Sequence, residues 1–165
     1  MATPTTNAEE LARQAGYHGE FLEEFYGTFT SEREKEVLSV PLRLVAAWAK
    51  YDSDAVANVF LKDGVLILPG DVLKKSRDDI QAFMAAAYAG PFKGTRVVGA
   101  AVDVRFVSDE VALLRTHGGI LGPGHTEIVP AMAVRSTWVV VKTENDWKLA
   151  VYQNSPRGAG ATLRW

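Results

Sequence analysis

Three histidines, His18, His117 and His125, are the side chains of this 165-residue chain that titrate nearest neutral pH. They stand far apart, with no i, i+4 pair, and Asp52-Ser-Asp54 reads better as helix capping than as a ligand set, so the chain offers no metal-binding pattern. Cysteine is absent, which removes disulfides, zinc-thiolate sites, iron-sulfur clusters and thiol nucleophiles together. No Gly-x-Ser-x-Gly elbow is present to activate a serine. No Gly-x-Gly-x-x-Gly follows a strand, and Gly118-Gly with Gly122-Pro-Gly falls between strands, where it forms no helix N-terminus for a pyrophosphate. The spacing predicts no cofactor. Proton transfer in a pocket needs a titratable group among apolar walls, with a donor opposite the developing charge. His117 is the first candidate: it ends the strand predicted over 111–118 and shares parity with Val111 and Leu113, leaving either sheet face open to it. His125, with Glu127 close by, closes over a pocket mouth or is simply solvated in its loop. His18 belongs to the N-terminal segment.

The elements that must position such groups come in a clear order. Residues 1–14 are small and polar, the composition of a mobile arm, and Tyr17, Phe21 and Phe25 then recur at helical spacing up to Phe29. That stretch is either a short helix laid on the domain or an arm that binds a partner. Ser31 and Glu34 form a capping box for a first helix, in which Pro41 predicts a kink or a restart near Ser39. Asp52 or Ser53 caps a second helix carrying Ala55, Val56, Val59 and Phe60, and a strand pair bends at Pro69-Gly70-Asp71. Ser76, Asp78 and Asp79 start a third helix whose face holds Ile80, Phe83, Met84, Ala87 and Tyr88, and Gly90-Pro91 stops it.

Strands follow. Residues 96–106 alternate, with Val98, Ala100, Val102, Val104 and Phe106 on one side and Asp103 and Arg105 on the other. A strand over 111–118 leads into a flexible Gly-rich connection at 118–125, and strands over 129–142 and 148–154 turn through Thr143-Glu-Asn-Asp146. One parity of the last hairpin collects Val134, Ser136, Trp138 and Val140, facing Ala150, Tyr152 and Asn154. Helices first and an antiparallel sheet afterwards give an α+β fold. The predicted organisation is an arm at 1–30, one domain at 31–156 and a fraying tail at 157–165.

The net charge of −2 with scattered basic residues gives no footprint for nucleic acid or an anionic membrane. With no signal-like start and no run long enough for a bilayer, the expected location is the cytoplasm.

The segments Ala46-Ala-Trp-Ala-Lys-Tyr-Asp-Ser-Asp-Ala55, Phe60-Leu-Lys-Asp-Gly-Val-Leu-Ile-Leu-Pro-Gly70, Asp79-Ile-Gln-Ala-Phe83, Ala89-Gly-Pro-Phe-Lys-Gly94 and Gln153-Asn-Ser-Pro156 resemble the SgcJ/EcaC branch of the nuclear transport factor 2-like, or SnoaL-like, superfamily. The resemblance implies a curved, mostly antiparallel sheet wrapped around three N-terminal helices as a cone with an internal pocket. It implies a homodimer formed through the outer sheet face and a place in bacterial secondary metabolism, enediyne polyketide assembly included. The partner it implies is a hydrophobic polyene-like molecule that the protein binds, with cyclisation, isomerisation or hydration as the chemistry, or carries, with contact to a polyketide synthase through the arm. It implies that the Trp138 and Asn154 positions point into the cavity, though Trp138 also fits plain core; Trp48, Phe60, Leu68, Phe83, Tyr88 and Ser136 are expected to line the same space, and the residues themselves offer His117, Tyr152 and Asn154 as the polar groups for chemistry. Against ketosteroid isomerase, a relative by fold whose Asp base and Tyr donor are well understood, Leu68 stands at the base position and Leu44 at the tyrosine position. Gln153 stands where many relatives keep a histidine.

Overall fold

Ser31 opens the first helix as its spacing predicts: its Oγ accepts the Glu34 amide at 3.1 Å and bonds the Glu34 carboxylate at 2.7 Å. The computed structural model describes residues 31–157 together with Glu10, Arg13, Gln14, Gly27 and Phe29. The remaining expectations for the arm and for the tail at 158–165 lie outside the described residues. Helix α1 (Glu32–Ala49) is followed by α2 (Ser53–Asn58), strands β1 (Phe60–Leu68) and β2 (Val72–Lys74), and helix α3 (Arg77–Ala89). Strands β3 (Arg96–Phe106) and β4 (Val111–Leu121), a 3-10 turn at Pro130–Met132, and strands β5 (Ala133–Lys142) and β6 (Trp147–Pro156) complete the chain.

Helix α1 does not restart near Ser39. It runs through Pro41, and the Ser39 hydroxyl donates to the Glu36 carbonyl at 2.6 Å instead. Asp52 caps α2 through Ala55 N and Ser76 caps α3 through Asp79 N, both satisfying amides that a helix start leaves without partners. Phe60 leaves the second helix, contrary to its helical spacing, and begins β1 almost fully buried at 1% exposure. Arg77 holds that transition by donating from Nε and Nη2 to the Phe60 carbonyl, at 3.1 and 2.6 Å. The bend between β1 and β2 takes Gly70 and Asp71 into the left-handed region, φ 83° and 61°.

The six strands form one sheet in the order β2-β1-β6-β5-β4-β3, with β1 and β6 parallel and every other pair antiparallel. The three helices cover one face, and the core between them joins Leu38, Leu42, Val56, Ile80, Leu114 and Leu149, all buried, with Phe29 packed against its edge. This is the curved, mostly antiparallel sheet over three helices that the sequence predicts.

Two bulges correct the predicted strand faces. In β3 the register slips between Ala101 and Asp103, so Val97, Ala101, Val104 and Phe106 pack toward the core while Val102 is 42% exposed. Between β5 and β6 it slips at Val139 and Val140, so Trp147 and Leu149 turn inward before Tyr152, and Ala150 does not share their face. The Gly-rich connection is also shorter than expected. Strand β4 continues to Leu121, because Gly118 and Gly119 admit a backbone approach that a side chain blocks: a Cβ on Gly118 would lie 2.2 Å from the Val98 carbonyl oxygen, and one on Gly119 2.4 Å from that of Met132. Strand β5 starts at Ala133 rather than at 129, the 3-10 turn taking the residues before it.

Candidate functional site: an apolar cavity with one polar cluster

Between the helices and the concave sheet face lies a cavity of about 410 Å³. Helix α1 brings Pro41, Leu44, Val45 and Trp48 to it, α3 brings Phe83 and Met84, and β1 contributes Phe60, Leu66 and Leu68. No Asp, Glu, Lys or Arg lines it among the described residues. A charge placed here would lose its hydration without a counter-charge. The ketosteroid isomerase comparison gains its geometry from this wall: Leu44 and Leu68, at the donor and base positions, both face the cavity as hydrocarbon.

Two tryptophans are fixed by threonines, one of which, Thr116, also lines the cavity. Trp138 donates from Nε1 to Thr116 Oγ1 at 3.0 Å, with Thr116 7% and Trp138 5% exposed. Trp48 donates to Thr95 Oγ1 at 3.1 Å, and the Thr95 hydroxyl donates onward to the Phe92 carbonyl at 2.7 Å. Phe92 tilts over Trp48 at 5.0 Å between ring centroids. Each indole N–H thus finds a partner inside the fold, as buried aromatic donors must. Tyr88 stands apart from the other predicted pocket residues. It meets the edges of Trp48 and Tyr51, both at 5.4 Å, behind the cavity wall rather than on it. Burial first, then Asp52 and Tyr51, pushes its phenol well above the ordinary range.

Polar groups gather on the β5–β6 side. Strand alternation aims Ser136 and Trp138 inward from β5, and the bulge restores Tyr152 and Asn154 to the same face on β6, with Ser136 opposite Asn154 and Trp138 opposite Tyr152. The Ser136 and Tyr152 hydroxyls lie 2.9 Å apart, Asn154 Nδ2 donates to Tyr152 Oη at 3.2 Å, and the Trp138 ring meets Tyr152 edge-on at 4.7 Å. Burial raises the Tyr152 phenol, partly offset by its hydrogen bonds to Ser136 and Asn154, so it is a neutral donor at physiological pH. Among the described residues, Asn154 Oδ1 is buried without a hydrogen-bond donor.

His117 borders the cavity, but its strand parity is that of the outer face. Its neighbours Thr116 and Gly118 are the inward pair, and its own register partners are Ala100 and the exposed Arg135. Burial, then Arg157 and Arg135, holds the imidazole below its usual range. His125 lies in the loop after β4, bonded through its amide to the Gly122 carbonyl at 3.0 Å, and His18 is outside the described residues. No group of three metal-ligating side chains occurs among the described residues. Sequence reasoning missed Thr95 and Thr116. Thr116 had a legible signal, since it continues the alternation of Ala112 and Leu114 and lies on the strand next to Trp138's; Thr95, in a turn, had none.

A sheet closed over three helices with an internal apolar cavity defines a cystatin-like cone. Within that class the chain belongs to the SnoaL-like family, whose domain model matches residues 30–153. Among solved structures, a domain of unknown function with a cystatin-like fold from Nostoc punctiforme is 25% identical, with TM-score 0.72 over 79% of this chain and 81% of that one. An NTF2-like protein with the same fold from Novosphingobium aromaticivorans matches at TM-score 0.64 and 17% identity over 98% and 99% of the two chains. A ketosteroid isomerase-like protein from Erwinia carotovora matches at 0.62 and 20% over 79% and 100%. The last two carry the fold alone. A search of curated proteins finds no match. No described helix is long and apolar enough to cross a membrane.

Proposed function

We propose that this chain is a pocket protein of bacterial secondary metabolism that binds an uncharged hydrophobic intermediate of polyketide type, a polyene of enediyne assembly being the candidate from the SgcJ/EcaC resemblance. The observation that carries this reading is the cavity wall: apolar residues on the helical side, a neutral polar cluster at Ser136, Tyr152 and Asn154, and, among the described residues, no Asp, Glu, Lys or Arg. Trp48, Phe60, Leu68, Phe83 and Trp138 supply flat surface for a conjugated chain, whereas Tyr88 acts on it only through Trp48. His117, on the outer parity, has no part in the proposal. With leucine at both positions where ketosteroid isomerase keeps its acid and base, a cyclisation or isomerisation assisted here relies on shape and hydrogen bonding. The alternative of a carrier needs nothing more than the same wall.

Titration with a conjugated polyene, read by tryptophan fluorescence and by mass spectrometry of the recovered ligand, separates the two. Binding with a changed ligand supports an enzyme, binding with an unchanged one supports a carrier, and no binding refutes the pocket reading. Pairing of two copies belongs to the same proposal. Val65, Val151, Val139 and Leu113 are register neighbours across four strands on the face opposite the cavity, an apolar row suited to a second sheet. Sedimentation of the purified chain as a monomer would remove that part. Contact with a polyketide synthase is assigned to the segment 17–29, and its deletion should abolish co-purification with the synthase.

A further inference from the structure

Helix α1 is a wall shared by two spaces. Pro41, Leu44, Val45 and Trp48 face the apolar cavity, whereas Arg43, Ala46, Ala47 and Lys50 line a second cleft of about 340 Å³. Asp52 and the α2 residues Ala55 and Asn58, then Val59, Lys148 from β6 and Gln14 from the N-terminal segment complete it. Basic residues that look scattered along the sequence meet here. Arg43, Lys50 and Lys148 line the cleft, and the charge of Arg77 acts on Lys148. Two carboxylates stand against these four cations. Asp146 is shared between Arg43 Nη1 at 3.0 Å and Lys148 Nζ at 3.8 Å, and Asp52 is committed to capping α2 through Ala55 N. Glu10, bonded to Gln14, is matched by its own ion pair with Arg13. Four cations against two carboxylates leave an excess of two positive charges.

The fold holds part of that charge away from water. The side chains of Arg43 and Lys148 are only 20% and 23% exposed. Burial holds both cations below their ordinary range; Asp146 opposes that in each, and Arg43 and Arg77 lower Lys148 further. An anion in the cleft relieves the desolvation and the like-charge contact together. Donors remain for it. Arg43 gives Nη1 to Asp146 and Nη2 to the Trp147 carbonyl, while its Nε has no acceptor among the described residues and is not closed off from solvent. Lys50 is exposed and has no ion pair among the described residues. A carboxylate would match one of the two excess charges; a phosphate monoester, close to dianionic at neutral pH, matches both. The cleft also exceeds the phosphate itself, and Ala46, Ala47, Ala55 and Val59 give it an apolar floor.

We propose that this cleft is a second binding site, for a phosphate monoester with a small apolar group, whose oxygens are held by Arg43, Lys50 and Lys148 and whose apolar part rests on the alanines of α1 and on Val59. The site lies across α1 from the apolar cavity and does not depend on what that cavity binds.

Isothermal titration calorimetry of the full chain with phenyl phosphate, benzoate, inorganic phosphate and benzyl alcohol tests it. Phenyl phosphate should bind at least about tenfold more tightly than benzyl alcohol, the ratio that one charge-assisted hydrogen bond supplies, and more tightly than benzoate or inorganic phosphate. Its affinity should fall with added salt, which screens the cations that solvent reaches. Lys50→Glu, at an exposed position, should weaken phenyl phosphate about tenfold or more and leave the titration with polyene unchanged. The proposal is overturned if phenyl phosphate binds no more tightly than any one of the other three, or if Lys50→Glu leaves its affinity unaltered. Displacement of a bound polyene by phenyl phosphate also overturns it, since that puts the phosphate in the apolar cavity. A chain that takes up phenyl phosphate with the expected order but no polyene refutes the pocket reading and supports this site. The comparison among ligands on the unaltered chain needs no variant to fold.

Discussion

Replacing Thr116 by valine isolates one hydrogen bond without changing the volume of the wall. The side chains are nearly isosteric, and the change deletes the acceptor of Trp138 Nε1, 3.0 Å away, at a site where both residues are more than nine-tenths buried. An indole N–H left without a partner in that setting carries its desolvation penalty, about 1–3 kcal/mol. For a urea slope of about 2 kcal/mol per M, a loss of about 2 kcal/mol lowers the unfolding midpoint by about 1 M with the slope unchanged. Thr116→Ser keeps the acceptor and should lose about 0.8 kcal/mol for the missing methyl. The decisive measurement is a double-mutant cycle with Trp138→Phe. With no indole donor present, Thr116→Val should fall within about 0.5 kcal/mol of neutral, leaving a coupling of about 1–3 kcal/mol between the two sites. If Thr116→Val costs the same in both backgrounds, the hydroxyl matters for some reason other than Trp138. If it costs nothing in the parent chain, the indole is not anchored by Thr116 at all, and its place as a fixed cavity wall fails.

Four further substitutions have outcomes that can be checked. Gly118→Ala should destabilise by about 1–3 kcal/mol as the strands are forced apart, lowering the melting temperature by about 2–4 °C per kcal/mol in a domain of this size. Gly122→Ala, whose Cβ would meet only the His125 ring at 3.6 Å, should stay within about 0.5 kcal/mol. Leu68→Asp places a carboxyl on the hydrocarbon wall, which raises its pKa above the unfolded value of about 3.9. Its neutral form is tolerated at acid pH, so stability and ligand affinity relative to the parent should both fall as pH rises through the shifted value, and a loss independent of pH would show that the site is wet. His117 has its folded pKa below the unfolded value of about 6.5, so its contribution to stability is present above that value and is lost as pH falls through the folded pKa. His117→Gln should flatten that acid limb in urea unfolding, without weakening polyene binding.

What the sequence made legible was whatever local chemistry decides. The caps at Ser31, Asp52 and Ser76, the bend at Gly70 and the limits of β3 all follow from residues within a few positions of one another. Faces were less secure, because period-two reasoning carries an error past every bulge: Val102 and Ala150 were assigned by counting across slips that only the neighbouring strand reveals. Tyr88 shows a similar limit in a helix, where its spacing gives the buried face but not whether that face meets the cavity or the back of Trp48. Phe60 kept helical spacing with Val56 and still opened a strand, its carbonyl taken by Arg77 from seventeen residues on. Of the candidate site, the aromatic wall and the trio Ser136, Tyr152 and Asn154 could be listed from parity, but the hydrogen bonds that join the trio depend on distances between strands.

The glycines where β3 and β4 meet have a consequence for how this cavity can diversify. Gly99 and Gly118 are register partners, and both belong to the cavity wall. At each, a Cβ would come within 3 Å of backbone, 2.8 Å from the His117 carbonyl oxygen for Gly99. The container therefore cannot be narrowed from that side by ordinary substitution, since any side chain added there splits the sheet before it reaches the ligand. Adaptation to a smaller or differently shaped molecule is channelled to the helical wall, at Leu44, Val45 or Met84, where volume can change without touching a strand pair. In a lineage that exchanges ligands, those positions should drift while the paired glycines stay fixed.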